Sequence, residues 1–158
     1  MTNSRSGGIT IDIESGVLRF VESIPVPVRT AWTLITARTH IAKWWGSFVS
    51  LDLFPGGGFE ELWSGTPEHQ QQIHALGTVL HVAAPHLLDL SWREETWTFS
   101  TEVNIRLRET LEGTEVAVSH GKWPTPVTPE VRRIIARHYY AWRMCLTRLK
   151  AYAAAQKK

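Results

Sequence analysis

The chain has 158 residues, 43% of them hydrophobic and 20% charged, with a net charge of +2 at pH 7. That length fits one domain with a real core, and the composition is that of an ordinary globular protein. The small charge excludes a nucleic-acid-binding stripe, and no apolar stretch reaches the ~20 residues that span a bilayer.

The polar, Gly/Ser-rich residues Met1 to Gly8 have no apolar h-region, so no signal peptide is expected there. Residues 1–16 read as a flexible N-terminal segment and 17–158 as one domain. Val17 to Ile24 reads as the first strand, stopped by Pro25 and Pro27. A helix through Val28, Ala31, Trp32 and Ile35 follows. A second short helix spans Thr39 to Trp45, capped by Thr39 and ended by Gly46. Phe48 to Phe54 and Phe59 to Trp63 make a hairpin around Pro55-Gly56-Gly57-Gly58. A polar loop runs from Ser64 to Gln72.

Ile73 to Val82 is a strand with a bulge expected at Gly77. Ala84-Pro85 turns the chain into Leu87 to Arg93, where Leu88, Leu90 and Trp92 share one face. Phe99 to Glu109 sets Thr101, Val103, Ile105 and Leu107 on one side. After Glu112-Gly113, Val116, Val118 and His120 share a face of the next strand. A Pro/Thr-rich loop leads to a long amphipathic helix, Pro129 to Ala154. Its apolar stripe is Val131, Ile135, His138, Trp142, Cys145, Leu149 and Tyr152, and Thr128 or Thr125 caps its start. Arg132, Arg133 and Arg137 lie off that stripe and are expected in solvent.

The fold class is therefore α+β: a curved antiparallel sheet around a long C-terminal helix, with two short helices after the first strand. Four segments give this order a family resemblance. They are Ile24 to Pro27 through Ala31-Trp32 with Ala42 to Gly46; Pro55 to Phe59; Gly77 to Val82 with Pro85 and Leu88 to Trp92; and Val118 to Gly121 with Trp142, Leu146, Leu149 and Lys150. Together they span about residues 17 to 152. The chain resembles the START-like, helix-grip (SRPBCC or Bet v 1-like) superfamily. Within it the chain is most similar to the branch named after the C-terminal domain of the activator of heat-shock protein ATPase. The resemblance implies a gap between sheet and helix that is often a ligand cavity, and a homodimer as a common state.

Strong catalytic motifs are absent: no G-x-S-x-G, P-loop, G-x-G-x-x-G or H-E-x-x-H occurs. The pairs His69/His74 and His81/His86 are each five residues apart, a spacing that puts neither pair on one face, so no metal and no cofactor is expected. A site assembled from His81, His120 and Glu61 is left open. Cys145 is the only cysteine, which excludes an internal disulfide and points to a cytoplasmic protein with a buried, inert thiol. Eight tryptophans fit either a bulky core or an aromatic-walled pocket.

These readings favour a cavity for a small hydrophobic or aromatic molecule, with Trp63, Leu90, Trp92, His120, His138 and Trp142 as its wall. His120 is read chiefly as a structural hydrogen bonder. His138, mid-helix on the inward face, and Glu61, on the strand face of Phe59 and Trp63, are the candidates for proton transfer. Arg93, Glu94 and Glu95 are expected in a solvated turn, and Trp92 to Trp97 at the cavity mouth. Two alternatives stay open: an enzyme of the same fold (cyclase, dehydratase or hydrolase), and an interaction module for a chaperone or stress-response partner.

Overall fold

The structure is a computed structural model and describes residues 9–12, 16–45, 48–63 and 72–157. Residues 1–8, the Gly46 helix stop, His69 and most of the polar loop lie outside them.

Among the described residues, eight strands form one antiparallel sheet: β1 (Ile9–Asp12), β2 (Val17–Ile24), β3 (Phe48–Leu51), β4 (Gly58–Trp63), β5 (Ile73–Ala83), β6 (Leu87–Glu94), β7 (Thr101–Thr110) and β8 (Gly113–Gly121). Their order is β1-β2-β8-β7-β6-β5-β4-β3. The curved sheet wraps a long helix, in a helix-grip arrangement. Every neighbour but one comes from a hairpin; the β2–β8 pairing closes the ends of the domain, with Leu18 opposite His120 and Ile24 opposite Thr114. Strand β1 pairs with β2 and so puts an edge strand inside the segment expected to be flexible.

Alternation places one face of each strand in the core. On β7, Thr101, Val103, Ile105 and Leu107 are all buried, as are Thr114, Val116, Val118 and His120 on β8. Against them lies α3 (Pro129–Ala155), with Thr128 Oγ1 accepting from the Val131 N–H at 3.2 Å and Pro129 in the first turn. Its buried stripe is Val131, Ile135, His138, Trp142, Leu146, Leu149 and Ala153. Cys145 and Tyr152 therefore sit at the stripe's margin, half-buried, because the four-residue step from Trp142 selects Leu146.

Helices α1 (Val28–Thr36) and α2 (Arg38–Trp44) sit between β2 and β3. The Trp44 indole N–H donates to the Leu34 carbonyl at 2.8 Å and locks the two helices together. Ala37, rather than Thr39, occupies the cap position of α2, without a side-chain hydrogen bond.

Two strand expectations shift. Strand β3 stops at Leu51 because the chain at Asp52 folds back: the Asp52 N–H donates to Gly58 O, and Gly56 N–H to Val79 O. A Cβ on Gly57 would stand 2.1 Å from Asp52 O, so only glycine permits this turn. The bulge of β5 falls between Val79 and His81, not at Gly77. Gly77 serves a different end, since a Cβ there would lie 1.8 Å from the Ser91 carbonyl oxygen of β6. Gly77→Ala should therefore cost about 2 kcal/mol, by pushing β5 off β6, measurable by urea denaturation. A change below about 0.5 kcal/mol would show that the strand edge yields freely.

Candidate functional site

A cavity of about 290 Å³ opens between α3 and the β4–β5–β6 side of the sheet. Strand β4 supplies Glu61 and Trp63, β6 supplies Trp92 and Glu94, and Trp45 enters from the end of α2. From α3 come His138 and Trp142, with Arg137, Ala141 and Cys145 beside them and Met144 and Arg148 toward solvent. Five of the sequence-selected residues thus meet here: Glu61, Trp63, Trp92, His138 and Trp142.

The aromatic wall is continuous. Trp45 and Trp92 stack at 6.3 Å with ring planes 8° apart, and Trp142 lies 5.6 Å from Trp45 and 6.0 Å from Trp92. Phe59 backs Trp92 at 4.8 Å. The Trp92 indole N–H is buried and finds no acceptor among the described residues. An orphaned donor of this kind costs free energy that a well-satisfied wall would not.

His120 and Leu90 stand behind this wall. Both are fully buried and neither reaches the cavity. His120 is used up by its neighbours. Its Nδ1 accepts from the Trp142 indole N–H at 3.1 Å, a group that can only donate. The Thr101 hydroxyl donates to Trp92 O at 2.8 Å, so the 2.8 Å contact between His120 Nε2 and Thr101 Oγ1 has the imidazole as donor. The ring is therefore the neutral Nε2–H tautomer. Burial, aided by nearby His138, holds its pKa well below the usual histidine range. The structural reading of His120 follows from this chain of bonds.

His138 is different. Its Nδ1–H donates to Ile134 O at 2.9 Å, which leaves Nε2 with a free lone pair, 3.7 Å from Glu94 Oε2. Burial lowers its pKa to about 4, against the opposing pull of the Ile134 carbonyl. At neutral pH it is an uncharged acceptor in the cavity wall.

Glu61 faces the same space. Burial raises its pKa to about 7, only partly countered by a side-chain hydrogen bond from Trp45 and reinforced by the charge of Glu94. Near neutral pH this carboxyl is poised between its two forms.

The turn reading of Glu94 is corrected. It is the last residue of β6, 6% exposed, and Arg137 holds both its oxygens at 2.6 and 2.8 Å. Arg137 is correspondingly not a solvated residue but half-buried in the wall. Arg93 and Glu95 do stay exposed. Trp97 is not at the cavity; it stacks on Phe99 at 4.7 Å and packs against Trp123 and His138. The assembled metal reading also fails geometrically: the His81 side chain is 71% exposed and pairs with Asp89 at 3.0 Å. Among the described residues no three His, Cys, Asp or Glu side chains converge on a metal-sized space.

Cys145 donates to the Trp45 carbonyl at 3.2 Å, and burial raises its pKa to about 12. Its thiol therefore keeps its proton at neutral pH.

The pattern of activator of Hsp90 ATPase homolog 1-like proteins matches residues 25–154. The chain belongs to this family. Solved structures share the fold of this activator-homologue chain. A Rhodobacter sphaeroides protein matches with a TM-score of 0.77 at 20% identity, covering 95% of this chain and 99% of that one. Protein NE0264 from Nitrosomonas europaea matches at 0.72 and 23% identity, covering 94% and 99%. CalU16 from Micromonospora echinospora matches at 0.66 and 23% identity, covering 96% and 85%. None of the curated proteins matches the sequence. Among the described residues no helix of this family member is long and apolar enough to cross a membrane.

Trp45 and the α3 row Ala141, Cys145 and Arg148 were among the wall residues missed as such from sequence, as were Ile73, Ala75, Glu94, Arg137 and Met144. A signal existed for Trp45 and for the α3 row. Successive tryptophans cannot share one helix face, so Trp44 and Trp45 must serve different neighbours. The row Ala141, Cys145, Arg148 runs at helical spacing beside the His138–Trp142 stripe.

Proposed function

We propose that this chain is a binding domain for a small hydrophobic or aromatic molecule, held between the sheet and α3. The observation that carries this is the cavity of about 290 Å³ walled by Trp45, Trp63, Trp92 and Trp142. Its size is near the lower end of small-molecule sites, and its few polar groups, Glu61 and His138 among them, suit an anchor inside an apolar wall. Apolar burial at roughly 25 cal/mol per Å² supplies micromolar affinity after the cost of association. A cytoplasmic location belongs to the same reading, because the one cysteine is a free, half-buried thiol. The family's name speaks of chaperone activation; on this chain the cavity, rather than an outer surface, carries the proposal.

The test is titration with the uncharged probe N-phenyl-1-naphthylamine, excited by energy transfer from the wall tryptophans. Saturable one-to-one binding is expected. Ala141→Trp, which fills the cavity from α3, should abolish it while circular dichroism stays native. Non-saturable binding, or equal binding by the filled variant, sinks the reading.

A further inference from the structure

Resting on the cavity reading above, we propose that the molecule selected carries a cationic amine beside an apolar body. Its ammonium would pair with Glu61 against the indole faces of the wall.

Among the described residues the cavity has two wall carboxyls, and one of them is neutralised. Glu94 is gripped at both oxygens by Arg137. Glu61 has only a neutral indole partner, Trp45, and no Lys, Arg or His among the described residues forms an ion pair with it. Glu61 is half-buried on the cavity wall, and a carboxyl drawn out of bulk water favours either a proton or a counter-ion. Four indoles surround the same space, and the faces of tryptophan rings attract cations more strongly than any other side-chain ring. An unpaired acid and an aromatic enclosure are together the two halves of an ammonium site.

The other charged or titratable groups facing Glu61 leave this preference standing. Arg137 is committed to Glu94. His138 is neutral above its low pKa, and Cys145 keeps its proton to about pH 12. Arg148 sits exposed at the rim, where water and salt screen it. An anionic guest would meet the ionised Glu61 as a like charge. A neutral guest would leave the carboxyl protonated and unpaired.

The test compares 1-naphthylmethylamine, 1-naphthalenemethanol and 1-naphthoate by calorimetry, in two buffers of different ionisation enthalpy. The amine should bind about tenfold more tightly than the alcohol at pH 7. Its affinity should rise about tenfold from pH 6 to pH 8, releasing about half a proton at pH 7 as Glu61 ionises. Glu61→Gln should erase both the preference and the proton release. Equal or tighter binding of the alcohol or the naphthoate overturns the proposal and leaves the cavity reading intact. An amine preference that survives in Glu61→Gln also overturns it. Binding by none of the three removes the cavity reading and this inference with it. The wild-type comparison decides the matter even where the variant fails to fold.

Discussion

Trp142→Ala lowers the free energy of unfolding by about 3–5 kcal/mol, the largest effect expected of any single wall residue. The side chain is 4% exposed and touches Trp45 and Trp92 on one side. On the other side its N–H is the donor that fixes the His120 tautomer. Truncation therefore removes packing and orphans a buried acceptor in one step. For a chain of this size the melting temperature should fall by roughly 10 °C. Trp142→Phe separates the two contributions. It keeps most of the ring but strips the donor, and should cost about 1–3 kcal/mol for the unsatisfied His120 Nδ1. Urea denaturation of both variants gives the measurement. Losses below about 1 kcal/mol for the alanine variant would mean that the wall collapses around the gap, and that the aromatic cluster is not a rigid frame.

The second large effect is a pH-dependent gap between wild type and Glu61→Gln. The folded protein holds the Glu61 proton up to about pH 7, whereas the unfolded chain releases it near the ordinary value of 4.5. The folded state thus binds more protons in that window. Its stability from this group is full below pH 4.5 and declines as pH rises to 7. The accumulated loss is about 3 kcal/mol. Glutamine stays neutral at every pH, so the variant should match wild type near pH 4.5 and exceed it by about 3 kcal/mol at pH 8.

His138 works in the opposite direction. Its folded pKa is about 4 against an ordinary 6.5, so its contribution is full above pH 6.5 and is lost as pH falls toward 4. His120 adds to that acid-side loss. The wild-type protein should therefore show a muted pH profile from 4.5 to 6.5, where Glu61 and the histidines oppose each other. Glu61→Gln should steepen it. Chemical denaturation at half-unit steps from pH 4.5 to 8.5 reads both curves. A gap that stays constant with pH would show that Glu61 is solvated and the cavity open to water. The same carboxyl that weakens the empty domain above neutrality is the group that an ammonium ligand would stabilise, so a cost in folding becomes a source of selectivity.

Much of this protein was legible in the residues themselves. Alternation on Thr101 to Leu107 and the four-three spacing on α3 fixed which faces are buried, because a strand repeats every two residues and a helix every 3.6. The same periodicities put Glu61, Trp92, His138 and Trp142 on inward faces before any contact was known. Residue spacing had less to say wherever a side chain's fate depends on a distant partner. Glu94 looked like a solvated turn residue until Arg137, 43 positions away, closed on it. His120 had the face of a cavity residue, but Trp142 and Thr101 claim both its nitrogens. Gly77 looked like a bulge and is instead the point where β6 comes too close for a side chain. Local pattern decides direction, inward or outward, because it depends only on backbone geometry. Which inward groups are satisfied, charged or left facing open space depends on how separate elements meet, and only the tertiary structure holds those distances.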